Sequence, residues 1–316
     1  MAMLINGKWD PDAKGTTAPD GSFVRAESPF RHQISPQGEG EFPAEAKRYN
    51  LIVSYACPWA HRTLIYRAIL DLEDVVDISI VNPISYPNGW TFEKYASVSN
   101  NTDLDISFLR DLYIHQDSKF TGKVTVPTLW DKKTKNIVNN ESSEIIRMLD
   151  GPFSKLKGNK EHKMTSMYPT AEIEKMNALT YKGVNNCVYR VGFAASQSAY
   201  QESVERLFST LDYLENILED KKYLLGNEPC EADWRLFPTL VRFDTVYYYH
   251  FKCNFRKLSS YKNLSSYLER LIKVPKVAET IHNNHIVDHY YLSHQKINPF
   301  GIIPIGVQKL LSNKTE

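Results

Sequence analysis

From residue 49 onward the chain alternates compact apolar runs with stretches of helical period. Residues 49–54 form a short apolar strand, residues 58–72 carry helical spacing, and residues 75–81 form a second strand rich in β-branched side chains. Together they predict a βαβ unit. After a connector, residues 122–130 predict a strand entered through Val126-Pro127, residues 131–135 a turn, residues 136–138 a short strand and residues 141–149 a helix. Beyond Tyr168 the period is helical. Val204, Leu207, Phe208, Leu211, Leu214 and Leu218 make one apolar stripe, and similar stripes run through residues 173–179, 236–246 and 264–272, with interruptions at Gly226-Asn227 and Pro275. Before residue 49 neither period holds. Pro11, Pro19, Pro29, Pro36 and Pro43, with scattered glycines, read as irregular coil without helix or strand.

The order βαβ, connector, ββα is that of the thioredoxin fold. The chain therefore divides into an irregular extension over residues 1–48, a thioredoxin-like α+β domain over residues 49–151, and an all-helical domain with a C-terminal tail over residues 152–316. A length of 316 residues agrees with two domains, and 42% apolar against 24% charged residues is the composition of an ordinary soluble globular protein. Lys and Arg total 38 against 37 Asp and Glu, which leaves no net field to draw in nucleic acid or an anionic membrane. Neither is expected as a partner. Residues 1–40 never reach the apolar run of a signal peptide or membrane helix, which predicts a cytoplasmic protein.

Cys57, Cys187, Cys230 and Cys253 include no Cys-x-x-Cys pair and none of the close Cys/His spacings of a zinc site, so free thiols and no metal are expected. Cys187 and Cys253 read as small buried hydrophobes. Cys57 differs, because it falls where a strand ends and a helix begins, with Pro58 at an early helical position. A thiolate there meets unpaired amides and the positive end of the helix dipole, which favour the charged, nucleophilic form. Packing or capping is the competing reading. Val126-Pro127 weighs against it, since a proline before a strand of this fold is typically cis and lies beside the cysteine. The run Asn140-Glu141-Ser142-Ser143-Glu144 opens the following helix with hydroxyls, a carboxylate and free amides, a suitable seat for a small zwitterion and also the ordinary way for a helix to start.

These residues carry a resemblance. The run Cys57-Pro58-Trp59-Ala60-His61-Arg62-Thr63, then Trp90, the run from Lys123 to Asp131 and Glu141-Ser142 resemble the glutathionyl-hydroquinone reductases, the Xi class of glutathione transferases. The likeness continues through Val184-Asn185-Asn186-Cys187-Val188-Tyr189, Glu231-Ala232-Asp233-Trp234, Arg242-Phe243-Asp244, His250-Phe251-Lys252-Cys253 and His289-Tyr290-Tyr291, and reaches back to Phe23-Val24-Arg25 and Pro29-Phe30-Arg31. The resemblance implies glutathione as co-substrate, aromatic quinol conjugates as substrates, and a homodimer. It makes Cys57 the nucleophile. It assigns Trp90, Lys123, Val124, Thr125, Val126, Glu141 and Ser142 to the glutathione site: Val126 pairing through its backbone with the cysteinyl part, Glu141 and Ser142 holding the γ-glutamyl end, Trp90 covering the tripeptide, and Lys123 offering charge to a carboxylate. Tyr189 becomes a proton donor, and Tyr247 and Tyr290 become hydroxyls that lower the pKa of Cys57.

Three departures from the pattern stand out. Cys187 occupies an expected glycine position. Cys230 occupies an expected Thr or Ser position, which removes a hydroxyl from a capping box and leaves Asp233 to serve alone. The doublet Tyr248-Tyr249 after Tyr247 is unusual for an acceptor wall. Two other readings share the scaffold: an Omega-like thiol transferase or dehydroascorbate reductase, which needs Cys57 but not the three tyrosines, and a non-catalytic binding module.

Overall fold

The computed structural model describes residues 2–13, 16–159 and 164–307. Contacts divide the chain into two units, Met1–Lys14 with Ala26–Lys163 and Glu279–His289, and Gly15–Arg25 with Met164–Ala278 and Tyr290–Glu316. The N-terminal stretch expected as one irregular extension is thus shared between both.

The first unit opens with an antiparallel hairpin of β1 (Met3–Ile5) and β2 (Lys8–Asp10), where the sequence reading placed only coil. Its turn is Asn6-Gly7, both residues at positive φ (48° and 73°), the backbone of a tight two-residue connection. A Cβ at Gly7 would lie 2.1 Å from the Ser118 carbonyl oxygen, so only glycine fits.

The central strand β3 (Tyr49–Val53) is buried at every position, the polar Asn50 included, as expected of a strand inside a sheet. Helix α1 (Pro58–Ile69) returns the chain to β4 (Asp77–Ile80), parallel to β3. Helix α2 (Arg110–Gln116) occupies the connector, where no element was predicted. Strands β5 (Thr128–Asp131) and β6 (Asn136–Asn139) complete a sheet of order β4-β3-β5-β6, and α3 (Ser142–Met148) follows. This is the predicted thioredoxin-like arrangement. The free edge of β6 does not stay open, because the His32 amide bonds the Val138 carbonyl (3.0 Å) and the Asn140 amide bonds that of Phe30 (3.1 Å).

The second unit is helical, as predicted. Its helices are α4 (Thr170–Thr180), α5 (Cys187–Gly192), α6 (Gln197–Asp220), α7 (Glu231–Leu240) and α8 (Lys262–Ile272). The α6 stripe from Val204 to Leu218 is buried, and the Ser196 hydroxyl caps the helix by accepting from the Ala199 amide at 3.2 Å. The unit boundary falls inside α9 (Asn283–Ser293), between His289 and Tyr290. Among the described residues no helix is long and apolar enough to cross a membrane.

Candidate active site

Cys57 is the residue before α1, with extended backbone (φ −76°, ψ 123°), and its carbonyl accepts the helix's first bond from His61 at 2.9 Å. Pro58 can occupy the first helical position because it has no amide to leave unpaired there. The thiol is buried and donates to the Val126 carbonyl at 3.3 Å. The Val126–Pro127 peptide is cis, as expected.

A side-chain network holds this segment. The Tyr113 hydroxyl, projecting from α2, accepts from the Thr125 amide (3.2 Å) and from the Asn140 side-chain amide (3.1 Å), which also donates to the Thr125 hydroxyl (3.2 Å). Lys123, Val124 and Thr125 are half-buried on the approach to the cis bond. At the start of α3, Glu141 caps the helix by accepting from the Ser143 amide (3.0 Å) and hydroxyl (2.9 Å), and it accepts from the Ser28 hydroxyl at 3.1 Å. Burial opposes its charge, but these donors and the nearby Arg62 guanidinium outweigh it and hold the carboxyl below the usual carboxylate range. Ser142, buried beside it, accepts a long bond (3.4 Å) from Arg62, which also lies over the Trp59 ring. Trp90 stacks on the His289 imidazole, with centroids 4.9 Å apart and planes at 24°. His289 is fixed in turn by a 2.7 Å bond from Nδ1 to the Pro83 carbonyl. The sequence-assigned glutathione residues thus all belong to the first unit, with Cys57.

The three tyrosines belong to the second unit and form one hydrogen-bonded chain. The Tyr290 hydroxyl lies 2.7 Å from that of Tyr189 and 3.1 Å from that of Tyr247. Tyr247 and Tyr290 are buried, whereas Tyr189 is only half-buried. Burial pushes the phenols of Tyr247 and Tyr290 well above their ordinary value, against the pull of the Arg242 guanidinium, so both keep their protons at neutral pH.

Residues 56–151 match the glutathione S-transferase N-terminal domain and residues 197–270 the glutathione S-transferase C-terminal domain. The chain is 46% identical to the glutathionyl-hydroquinone reductase YqjG of Escherichia coli, over 97% of this chain and 95% of that protein. Identity to the glutathionyl-hydroquinone reductase PcpF of Sphingobium chlorophenolicum is 43%, over 100% and 99%. Among solved structures, the Xi-class transferase of Natrialba magadii superposes with a TM-score of 0.89 at 41% identity, covering 96% of this chain and 93% of that one. The chain belongs to the Xi class of glutathione transferases. Glutathione-bound YqjG from E. coli superposes with a TM-score of 0.82 at 46% identity, over 87% and 92%.

Several residues bonded to the candidate site escaped the sequence reading. Tyr113 stands in the connector and Ser28 in the extension, and neither sits in a pattern that announces a role. Asn140 and Arg62 lie inside the motifs quoted above, but only the fold reveals the bonds they make. His289 had a sequence signal in its place before Tyr290-Tyr291, though its stack on Trp90 is a feature of the fold.

Proposed function

We propose that this Xi-class enzyme reduces glutathionyl-hydroquinones to hydroquinones at the expense of glutathione. The observation that carries the reading is the Cys57 thiol at a helix start, 3.3 Å from the carbonyl of a cis-proline segment. The residues assigned to hold glutathione lie in the same unit. On losing its proton Cys57 has no hydrogen to donate, so the Val126 carbonyl becomes available to the cysteinyl amide of glutathione. A substrate ammonium would add a charge-assisted bond to Glu141, which its neighbours already keep ionised.

The Cys57 thiolate attacks the glutathionyl sulfur of the conjugate in its ketone tautomer, in which the sulfur-bearing carbon already holds a proton. The new bond is the Cys57–glutathione disulfide. The carbon–sulfur bond breaks, its electron pair passes to the carbonyl, and the resulting phenolate takes a proton to become the hydroquinone. Tyr189 manages this proton traffic. A second glutathione thiolate then attacks the glutathione sulfur of the mixed disulfide, releasing oxidised glutathione and regenerating the Cys57 thiolate. The ring carbon has gained the two electrons that the glutathione pair has lost. Thiol transfer and dehydroascorbate reduction use the same cysteine and are expected as side activities.

A panel of glutathionyl-quinols assayed against dehydroascorbate and a small disulfide tests the reading, alongside intact-mass detection of the Cys57 adduct. Preference for the disulfide would replace it with a general thiol transferase, and absence of any adduct would leave a binding module. The resemblance also proposes a cytoplasmic homodimer, which light scattering during gel filtration tests for oligomeric state.

A further inference from the structure

Residues 16–25 return on themselves and settle on the second unit. The Val24 amide bonds the Thr16 carbonyl and the Ala18 amide that of Ser22, both at 2.9 Å, closing a strap around Gly21. The strap is pinned at its turn, where the Ala195 amide bonds the Gly21 carbonyl (2.8 Å) and the Ser196 hydroxyl bonds that of Asp20 (2.7 Å). Gly21 sits at φ +86°, and a Cβ there would meet the Ser196 side chain at 2.7 Å, so the approach requires glycine.

The strap ends at Arg25, whose guanidinium carbon lies 4.7 Å from the centroid of the Tyr189 ring. Its Nε donates to Asn186 Oδ1 at 2.7 Å, and the Asn186 carbonyl accepts from the Tyr189 amide at 3.1 Å. One asparagine therefore fixes both the cation and the start of the helix that carries the phenol. Phe23 packs at 6.5 Å from Tyr189 and 5.5 Å from Phe193, closing the same side.

We propose that Arg25 is a positioning residue for Tyr189, holding its ring through the strap and favouring release of its proton by placing a fixed positive charge over the π face. A cation there interacts more strongly with the electron-rich phenolate than with the neutral ring, which makes the phenol a better acid. Tyr290 and Tyr247 stay neutral, Arg242 acts on those two buried phenols, and Arg190 on the same helix extends toward Glu202 at 3.9 Å. The His250–His294 pair, bonded at 3.0 Å, packs on the Tyr290 side.

The inference rests on the proton role proposed for Tyr189, and its test separates the two. In protein labelled with fluorotyrosine, with the Tyr189 resonance assigned by its loss in Tyr189→Phe, Arg25→Gln should move the Tyr189 titration midpoint to higher pH. Arg25→Lys, which keeps a cation, should return most of that shift. Asn186→Ala, which frees the guanidinium without removing it, should shift the midpoint in the same direction and serves if Arg25→Gln does not fold. Quinol deglutathionylation by Arg25→Gln should fall roughly 3- to 30-fold, the span such a contact is worth, with disulfide reduction unchanged. A midpoint that stays put in the folded variants overturns the inference, as does an Arg25→Lys variant as impaired as Arg25→Gln. Absence of quinol turnover by the unmodified enzyme would overturn the proposed function instead, while the titration still decides the role of the strap.

Discussion

Cys57 and Tyr189 make separable demands on chemistry. Cys57→Ser should abolish deglutathionylation and leave glutathione binding largely intact, since a serine hydroxyl is far too basic to ionise at neutral pH. The other thiols are poor candidates for any turnover role. Burial pushes Cys187 up to about 11 and also raises Cys230 and Cys253, which leaves all three protonated. Replacing those three together should preserve activity, and its loss in a folded variant would expose a resolving cysteine. Tyr189→Phe keeps the ring and loses the proton, so quinol turnover should fall about 100-fold or more, the typical worth of a positioned acid. Disulfide reduction expels a thiolate and should fall far less; parallel kinetics on both substrates would show it, and equal losses would make Tyr189 a thiolate stabiliser. Cys57 was legible in the sequence because a strand end, Pro58 and a helical period converge on it. Nothing local singles out Tyr189 among 19 tyrosines. Its hydroxyl lies 2.7 Å from that of Tyr290, 101 positions away, a pairing that no period can reveal.

At the level of elements, α7 is the clearest test of capping. Asp233 is fully buried and accepts from the Cys230 amide (2.8 Å), the Leu224 amide (3.0 Å) and the Tyr267 hydroxyl (2.8 Å). Asp233→Ala would leave those donors buried without an acceptor, at about 1–3 kcal/mol each in the worst case. Urea unfolding should register the loss as a much lower midpoint. Cys230 does precede the helix, as the motif implied, and Asp233 does not serve alone, because the Cys230 sulfur faces the Asp233 amide in a capping box; a buried sulfur is nevertheless a weak acceptor. Cys230→Ser should therefore raise stability by about 0.5–2 kcal/mol without altering activity, and a lower midpoint would favour apolar packing of the sulfur over capping. Long elements such as α6 were legible because their stripes sustain a period over many turns. Helix α2 was not, since it has only seven residues and its N-cap, Leu109, offers no capping side chain. The β1–β2 hairpin did carry its signal in Asn6-Gly7, which the surrounding prolines and glycines obscured.

For the molecule as a whole, acid should act first through buried ion pairs. Arg48 Nε lies 3.0 and 3.1 Å from the two oxygens of the buried Asp131 carboxylate. Burial opposes the Asp131 charge, but Arg48, the Lys133 amide and the Thr134 hydroxyl outweigh it and hold the group below its ordinary value. The folded pKa is thus depressed. Its contribution is present in full above the unfolded value of about 3.9 and is lost as pH falls through the folded one. Arg48→Met should cost about 3–5 kcal/mol near neutrality by stranding a buried charge, and should flatten the acid limb of a stability–pH curve; an unchanged limb would show that other carboxylates govern it.

The placement of the chain's first residues also sets an order of birth. A ribosome that has made Arg25 must add 161 residues to reach Asn186, and after His61 it must add 219 to reach the Thr280 hydroxyl that bonds it. At about 5–20 residues per second the strap waits roughly 10–30 s for its first anchor. A nascent chain stopped near residue 151 would hold the sheet strands and Cys57, yet would lack both the phenols and the segment Glu279–His289 that completes the first unit. On the roles proposed for Tyr189, Tyr247 and Tyr290, competence for quinol chemistry would arrive only after residue 290 has been made.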